Sequence, residues 1–305
     1  MELEVALILL CVVVVITNMA VICMVVFIKE LKTFTNYFVF SLAVSDVLMG
    51  GVLLPLKHPW VANTVVNNHA INLTGYVIMI IMLSGVGNIC AVTWDRYVAV
   101  MEPFTYRTKL ERYYKKILIT LWITAITCSL IPLAWKDEHT SIYHKVYLVM
   151  TMLGFVILPY LTIIIGYVRI YARLRYHTEQ LKSEGITRSK REGAQRASLE
   201  GKTVKVFVVV VVLFLLSWVP VIYMTMVKFV FQQPNLVPSL LDHFNLLVLA
   251  VSSLVNPLLY GFMKRDFNSQ IIRCLWCLKT TPAVPVLAME TTPVTRTSAE
   301  NSAFN

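Results

Sequence analysis

Seven apolar stretches, separated by shorter polar segments, follow one another along the chain. Each is about 20 residues or longer, the length a helix needs to cross roughly 30 Å of hydrocarbon. None shows the alternating pattern of a barrel strand, so helices remain the way to pair every backbone group in lipid. The pattern predicts an all-α fold, a seven-transmembrane helix bundle with spans at 5–27, 37–60, 73–100, 117–135, 146–171, 204–231 and 240–263.

The residues after the seventh stretch divide into two parts. Apolar and basic residues recur at helical spacing over 264–277, which predicts a short amphipathic helix on the membrane surface. Within it Cys274 and Cys277 are placed for acylation, and unmodified structural cysteines are the alternative. Residues 279–305 are rich in Ser and Thr, which predicts a disordered cytoplasmic tail with phosphorylation sites. Residues 1–278 then form one membrane domain.

Composition and charge narrow the class of protein further. Hydrophobic residues make up 57% and charged residues 14% of the 305, and the mean hydropathy is +0.69, so an integral membrane protein is expected. The net charge of +10 does not indicate nucleic acid, because 23 of the 27 Lys and Arg lie on one side of the predicted spans. The other four are Lys57, Lys136, Lys145 and Lys228. The positive-inside rule therefore predicts an extracellular N-terminus and a cytoplasmic C-terminus, in a multi-pass plasma-membrane protein. The first stretch lacks a basic flank and a cleavage site, which favours a retained span over a signal peptide.

Single polar residues interrupt the apolar stretches. Asn18 must hydrogen-bond to neighbouring helices, and a purely stabilising role is as open as a direct one. Asp46 is a carboxylate within the second span, where it is protonated, paired or holding a cation. Ser253 and Asn256 in the seventh span are polar groups that can meet it. Arg96, at the end of the third span, is either a snorkelling anchor or a charge kept for a function.

The fifth, sixth and seventh spans contain Pro159, Pro220 and Pro257 in turn, well inside each span. A proline inside a membrane helix frees a backbone carbonyl and kinks the helix. Bends are therefore expected in the fifth, sixth and seventh spans, and Pro220 is a candidate hinge.

Short motifs occur in order along the seven spans. They are Asn18, Leu42-Ala-Val-Ser-Asp46, Asp95-Arg96-Tyr97 followed by Pro103, Trp122, Pro159 with Tyr167, Trp218-Val-Pro220, and Asn256-Pro257-Leu-Leu-Tyr260. This set resembles the rhodopsin-like (class A) G-protein-coupled receptors over about residues 5–277. The resemblance implies a receptor rather than an enzyme, in which an extracellular ligand activates a heterotrimeric G protein. It also implies arrestin and a receptor kinase as partners of the tail.

The resemblance implies a mechanism as well. Arg96 is held by Asp95 and Glu200 until the sixth span swings outward about Pro220, and Phe104 then inserts into the G protein. The coupling and switch residues implied are Asp95, Arg96, Tyr97, Phe104, Tyr167, Glu200, Asn256, Pro257 and Tyr260. The ligand signal is relayed through a core set implied by the same resemblance: Asn18, Asp46, Phe214, Trp218, Pro220 and Ser253.

Several positions depart from the pattern of this family. Ile71 stands where the third span usually has a disulfide cysteine, and the loop 136–145 contains none, so no extracellular disulfide is expected. Ile78 replaces the aspartate of amine receptors, and Ala250 replaces the lysine of opsins. Gly85 replaces the serine of the family's sodium pocket. Sodium at Asp46 therefore stays open as an allosteric ion, and no other cofactor is expected.

The implied ligand pocket is mostly apolar and favours a hydrophobic ligand. The residues expected to line it are Ile78, Met79, Met82, Thr151, Met152, Phe155, Val221, Ile222, Thr225, Leu246 and Leu249. Close packing without any small ligand is the alternative for these residues. Near the mouth, Lys57, Asp242, His243 and Asn245 either orient a ligand or face water. Asn72-Leu-Thr74 is a candidate glycosylation sequon.

Other functions compete with ligand-driven signalling. Within the receptor class, a ligand-independent, constitutively active orphan is the main rival, because the expected pocket has no charged anchor. A transporter or proton channel using Asp46 is more remote, since the two halves of the chain show no internal repeat. An intramembrane enzyme would need a second catalytic side chain at mid-span, and Asp46 is the only acidic residue there.

Overall fold

The computed structural model describes residues 2–53, 70–135, 140–183, 212, 216–263 and 265–280, and no β-strand occurs in these ranges. The first half of the chain forms four long helices joined by short turns. They are α1 (Glu2–Phe27), α2 (Phe34–Leu48, continued by a π-helical turn over Met49–Leu53), α3 (Ala70–Met101) and α4 (Tyr106–Leu130, continued by a 3-10 turn over Ile131–Trp135).

The second half forms the remaining helices. They are α5 (Ile142–Met152, a π-helical turn over Leu153–Ile157, then Leu158–Ser183), α6 (Leu216–Val230), α7 (Ser239–Met263) and α8 (Arg265–Thr280). Pro159 follows the π-helical turn of α5 directly after Leu158, and Pro257 lies inside α7. The backbone thus departs from regular α-helix next to Pro159, where a distortion was expected.

The described part of the chain contains seven apolar helices. Five, α1 to α5, are long and apolar enough to cross a membrane, and two shorter apolar helices, Leu216–Val230 and His243–Pro257, belong to α6 and α7. Large apolar side chains face outward on these helices: Leu9 is 61% exposed and Val168 is 62% exposed. A surface of this kind is stable when lipid covers it.

Several helices extend beyond the apolar stretches that predicted them. The fourth span was expected at 117–135, whereas α4 begins at Tyr106, and α5 continues to Ser183 rather than ending near residue 171. The added turns are rich in Lys, Arg and Glu, which favour helix but cannot lie in hydrocarbon. The hydropathy pattern therefore predicted where each helix crosses the membrane, while helix propensity extends α4 and α5 beyond that region.

Local capping fixes the start of α2 at Phe34, before the expected residue 37. The Thr33 hydroxyl accepts a hydrogen bond from the Asn36 backbone N–H at 3.3 Å, and Asn36 Nδ2 donates to the Leu31 carbonyl at 2.8 Å. These bonds satisfy backbone groups that a helix end leaves without partners. Leu31 itself is fully buried, and its turn contacts α8.

The helix α3 lies at the centre of the described bundle, in contact with α2, α4 and α5, while α1 packs on α2 and α7. Gly87 permits the close approach of α3 to α4, because a Cβ added there would lie 2.7 Å from Leu121 Cγ. Gly85, on the same helix, has no atom within 4 Å of such a Cβ. An added methyl group would therefore clash with Leu121 at Gly87 but would meet no atom of the described residues at Gly85.

We expect Gly87→Ala to lower the free energy of unfolding by about 1–3 kcal/mol, because the methyl group overpacks the contact with Leu121. Gly85→Ala is the matched control and should unfold close to the wild-type temperature. Thermal unfolding of the purified protein in one detergent measures both. Adding Leu121→Ala to Gly87→Ala should relieve the overpacking, whereas equal unfolding temperatures for the two alanine variants would contradict it.

Candidate functional site

The last turns of α3 place Asp95 and Arg96 at one end of the bundle. Asp95 is fully buried, and its Oδ2 accepts hydrogen bonds from Arg96 Nε at 2.8 Å and from Arg96 Nη2. The Arg96 side chain is 19% exposed, so it retains access to this end of the bundle. The expected contact between the two residues is confirmed. The second expected partner, Glu200, lies outside the described residues.

Two hydroxyl groups complete the surroundings of Asp95. Tyr106, the first residue of α4, donates to Asp95 Oδ1 at 2.8 Å, and Thr35 of α2 donates to the same oxygen at 3.1 Å. The two hydroxyl oxygens are themselves 2.6 Å apart. We call Thr35, Asp95, Arg96 and Tyr106 the Asp95 cluster. It joins α2, α3 and α4 at one carboxylate, and such buried charges are stable when they are paired and hydrogen-bonded.

Thr35 and Tyr106 are not among the site residues predicted from the sequence. Neither residue stands out in a hydropathy pattern, since both lie at helix starts among other polar residues. The one available signal was the short turn between α3 and α4, which brings residue 106 close to residue 95. A tyrosine in the first turn after such a hairpin is within reach of the preceding helix end.

We expect Tyr106→Phe to raise signalling without ligand, because it removes one donor from the buried Asp95 carboxylate and weakens the state in which Arg96 is held. A hydrogen bond to a charged group contributes roughly 1.5–3 kcal/mol, so an increase of about tenfold or more is expected. Basal nucleotide exchange on a G protein measures it. Tyr113→Phe, an exposed tyrosine of the same helix, is the control. Unchanged exchange by Tyr106→Phe would show that the hydroxyl has no part in holding the pair.

The loop after α3 presents an apolar side chain to solvent. Phe104 is 99% exposed. The loop is held by Glu102, which pairs with Lys109 and accepts from Thr105 Oγ1 at 2.9 Å. Hydrogen bonds from Lys109 and Thr105 hold the pKa of Glu102 below its usual value, which keeps the carboxylate charged. Phe104 is therefore exposed on a loop that is held by the polar contacts of Glu102 with Thr105 and Lys109.

Other implied coupling residues are distributed around Arg96. Tyr167 of α5 is buried. Tyr97 is half-buried and packs against the core. The side chain of Tyr260 and the whole of Phe214 lie outside the described residues.

A second polar cluster lies deep in the bundle. Asn256 Nδ2 of α7 donates to Asp46 Oδ2 of α2 at 2.8 Å, and Ser253 lies beside both residues in the lining of one small cavity. Asn18 Nδ2 of α1 donates to the Ser253 carbonyl at 3.1 Å and to the Val14 carbonyl at 3.0 Å. We call Asn18, Asp46, Ser253 and Asn256 the Asp46 cluster. The expected meeting of Asp46 with polar groups of the seventh span is confirmed, and so is the interhelical hydrogen bond of Asn18.

A small cavity adjoins the Asp46 cluster. Asp46, Met82, Gly85, Trp218 and Leu249 are among its lining residues. Buried amide oxygens lie nearby without a hydrogen-bond partner among the described residues, namely Asn18 Oδ1, Asn88 Oδ1 and Asn256 Oδ1. Ser84 does not replace the hydroxyl that Gly85 lacks, because its Oγ bonds to the Ile81 carbonyl at 2.9 Å. One carboxylate with neutral oxygens is a donor set for a hard monovalent cation with water.

Asn88 and Trp122 also contribute interhelical bonds. Asn88 Nδ2 of α3 donates to Ser45 Oγ of α2 at 3.3 Å, and Trp122 Nε1 of α4 donates to Ser41 Oγ of α2 at 3.0 Å. Trp122, one of the motif residues, therefore contributes a hydrogen bond between α4 and α2. α2 is thus tied by polar contacts to both α3 and α4.

The residues expected to form the ligand pocket divide by burial. Met82, Thr151, Met152 and Leu249 are buried, while Ile78, Met79, Phe155, Val221, Ile222, Thr225 and Leu246 are half-buried. Met82 and Leu249 border the cavity next to Asp46. Phe155 lines an outward-facing groove between α3, α4 and α5. Phe155 on the one hand and Met82 and Leu249 on the other thus line two different cavities.

The polar residues near the mouth of the expected pocket differ in burial. Asn245 is 7% exposed, and its Oδ1 has no hydrogen-bond partner among the described residues. His243 is half-buried. Lys57 and the side chain of Asp242 lie outside the described residues. Asn245 therefore belongs to the interior of the bundle rather than to its rim.

The candidate glycosylation sequon at Asn72 lies at the start of α3. α3 begins at Ala70, so Asn72 lies in its first helical turn. Glycosylation acceptors are surface-loop residues, and a helical backbone does not match that requirement.

An aromatic cluster joins α4 to α5 at the end opposite Arg96. Trp135 Nε1 donates to His144 Nδ1 at 3.3 Å, and Tyr147 OH donates to the Cys128 carbonyl at 3.0 Å. The Trp135 ring also contacts the rings of His144 and Tyr147. Cys11, Cys23, Cys90 and Cys128 are free thiols, so these aromatic contacts connect the two helices without a disulfide.

The sequence of the chain is similar to those of known receptors. Residues 17–260 match the family described as "7 transmembrane receptor (rhodopsin family)". The chain is 27% identical over 316 residues to the alpha-1D adrenergic receptor of Sus scrofa, covering 85% of this chain and 54% of that protein. It is 29% identical over 276 residues to the somatostatin receptor type 5 of Bos taurus, covering 82% and 69%. It is 26% identical over 269 residues to the histamine H2 receptor of Canis lupus familiaris, covering 81% and 72%. The chain thus spans about half the length of the adrenergic receptors it matches.

Proposed function

Because the chain belongs to the rhodopsin family of seven-transmembrane receptors, we propose that it transmits binding of an extracellular ligand to a heterotrimeric G protein. The observation that carries this proposal is the Asp95 cluster. It holds Arg96 through a fully buried carboxylate, while the guanidinium remains partly exposed at the end of the bundle. The exposed Phe104 lies on the adjoining loop. An arginine that can exchange Asp95 for a different partner is suited to act as a switch between two states.

We infer the orientation from the distribution of basic residues. The Arg96 end of the bundle also carries the basic first turns of α4, and the positive-inside rule assigns such an end to the cytoplasm. The N-terminus is then extracellular. The Trp135–His144 contact lies at the extracellular end in this orientation.

Activation is proposed as an outward movement of α6 about Pro220. Arg96 then separates from Asp95 and from Glu200, and contacts Tyr167, Tyr260 and the G protein. A ligand drives this movement only through its difference in affinity for the two states. The buried Trp218 and the Asp46 cluster, with Phe214, would relay the change from the pocket to Arg96.

The Asp46 cluster suits a sodium ion as an allosteric ligand. Asp46 and Ser253 would bind it, with water bridging to the amide oxygens that have no partner among the described residues. Sodium would supply a positive charge that stabilises the ionised carboxylate. The residues themselves connect α1, α2 and α7 through their hydrogen bonds, with or without the ion.

The proposed ligand is hydrophobic and carries a hydrogen-bond donor. Most residues of the expected pocket are apolar, and the buried Asn245 Oδ1 next to Leu246 is an acceptor without a partner among the described residues. A buried acceptor of this kind favours a ligand that can donate to it. Ile78 in place of an aspartate disfavours a simple amine.

Constitutive activity without a ligand is the second candidate. The burial of Met82, Met152 and Leu249 in the hydrophobic core supports it, because side chains that are already buried leave less need for a ligand. Arrestin and a receptor kinase are proposed partners of the tail after residue 279. Acylation of Cys274 and Cys277 is proposed for α8.

Nucleotide exchange by the purified wild-type chain on a panel of G proteins tests the proposal. Exchange on one class of G protein, above that of empty nanodiscs, supports a coupled receptor. An increase on addition of hydrophobic candidate ligands favours the ligand-driven function, and high exchange that no ligand raises favours constitutive activity. Absence of exchange with every G protein, with and without ligands, would contradict the proposal.

A further inference from the structure

A groove of about 520 Å³ opens on the outer surface between α3, α4 and α5. Its walls are mostly apolar, with Cys90 and Trp94 of α3, Thr120 and Leu121 of α4, and Pro159 of α5 among them. The groove lies on the outside of the bundle, where the bilayer covers the protein. It is separate from the cavity next to Asp46, with which it shares no lining residue.

One end of this groove is basic. Lys116 lines it, immediately before the apolar part of α4. Arg112 lies one helical turn earlier on the same face, since residues four apart are neighbours on a helix. Both side chains are exposed, and neither forms an ion pair within the ranges that the structure describes. A pair of cations thus lies where the apolar groove reaches the membrane edge.

The dimensions of the groove fit one leaflet of a bilayer. Along α4 it extends from Lys116 to Ala125, a distance of about 14 Å at the helical rise per residue. Half of the hydrocarbon core is about 15 Å thick. An acyl chain that enters here places its head group beside Lys116 and Arg112.

We propose that the α3–α4–α5 groove binds an anionic phospholipid of the cytoplasmic leaflet. The acyl chain lies along Trp94, Cys90 and Leu121, and the phosphate contacts Lys116 and Arg112. Basic pockets between membrane helices on the cytoplasmic side are sites for anionic head groups. The opposite end of the groove, near Ala125 and Phe155, has no charged lining residue, which fixes the direction of the lipid.

Lys115 provides a matched control on the same helix. Its Nζ lies 5.8 Å from the centre of the Tyr114 ring, and Tyr114 stacks on Tyr37 of α2 at 5.5 Å. Lys115 therefore lies toward α2 and away from the groove. Lys115→Ala therefore changes the net charge of the protein by the same amount as Lys116→Ala, but it leaves the proposed lipid site unaltered.

Quenching of Trp94 fluorescence by brominated lipids tests the proposal. The purified chain is placed in phosphatidylcholine nanodiscs in which a minor fraction of lipid is brominated phosphatidylserine or brominated phosphatidylcholine. The signal of Trp94 is obtained by subtracting that of Trp94→Phe. Because the same lipids occupy both leaflets, the result depends neither on the proposed orientation nor on G-protein coupling.

We expect brominated phosphatidylserine to quench Trp94 more strongly than brominated phosphatidylcholine. Arg112→Ala and Lys116→Ala should each weaken binding of the anionic lipid about fivefold, and the double variant roughly thirtyfold, from the usual contribution of one cation near an anionic surface. High salt should reduce the preference. Lys115→Ala should leave it unchanged.

Three results would overturn the proposal. Equal quenching by the two lipids would show contact with bulk hydrocarbon or neutral lipid only. No quenching of Trp94 by either would show that the groove excludes lipid. A preference for the anionic lipid that persists in the double variant, or that Lys115→Ala also removes, would show that the preference comes from general surface charge. Thr120→Leu, which fills the exposed groove wall without changing charge, should reduce quenching by the anionic lipid and gives a second test.

Discussion

Arg96→Ala is expected to abolish nucleotide exchange on the G protein while surface expression stays unchanged. The guanidinium is the one charged group of the Asp95 cluster that remains partly exposed, so it can form a new contact with a transducer. In the proposed active state the guanidinium forms a charge-assisted contact with the transducer, and truncating one partner of such an interfacial pair costs roughly 2–5 kcal/mol, a loss of about thirtyfold or more. Asp95 would keep Thr35 and Tyr106 as donors, so the fold should survive.

The measurement compares initial exchange rates at equal receptor amounts, with surface expression counted by an antibody against an added epitope. Arg107→Ala is the control, since Arg107 is an exposed arginine of the same end without an ion pair among the described residues. Arg96→Lys should retain part of the activity, because an ammonium keeps the charge but lacks the planar fork. Full signalling by Arg96→Ala would contradict the proposed role of Arg96 in the switch. It would not by itself contradict the proposal that the chain is a receptor.

Asp46→Leu is expected to destabilise the bundle more than Asp46→Asn. The leucine removes the acceptor of Asn256 Nδ2 and leaves that amide buried without a partner, at a cost of roughly 1–3 kcal/mol. Asparagine retains an acceptor oxygen of nearly the same shape and removes only the charge. Thermal unfolding in one detergent compares the two variants with the wild type.

Sodium provides an independent readout of the same site. If the Asp46 cluster binds the ion, the wild-type unfolding temperature rises in sodium chloride relative to choline chloride, by linkage of binding to folding. Both Asp46 variants should lose this increase. Wild-type stability of Asp46→Leu would contradict the role of the hydrogen bond, and equal effects of the two salts would contradict the sodium site alone.

The contacts of Asp46, Asn18 and Arg96 were predictable because polar groups in hydrocarbon must find partners. An apolar stretch containing one amide or carboxylate leaves few places for that partner, and the seventh span offered Ser253 and Asn256. The family resemblance added the pairing of Asp95 with Arg96. In each case the scarcity of polar residues reduced the number of possible contacts.

Other features of the candidate sites could not be predicted in this way. Thr35 and Tyr106 are polar residues at helix ends, where many partners, including water, are available. The contact of Trp135 with His144 depends on how the ends of α4 and α5 meet. The groove depends on the distances between three helices, which no residue pattern encodes.

The sequence by itself determined that this chain is an all-helical membrane protein, because apolar length and the need to pair backbone groups in lipid allow few alternatives. It also determined the family, through motifs in a fixed order. Only the tertiary structure decided that Asp95 is shared by three helices, that Gly87 rather than Gly85 is the point of close approach, and that Lys116 lies at the end of an open groove. These features depend on the distance and rotation between neighbouring helices, and side-chain packing sets both after the helices have formed.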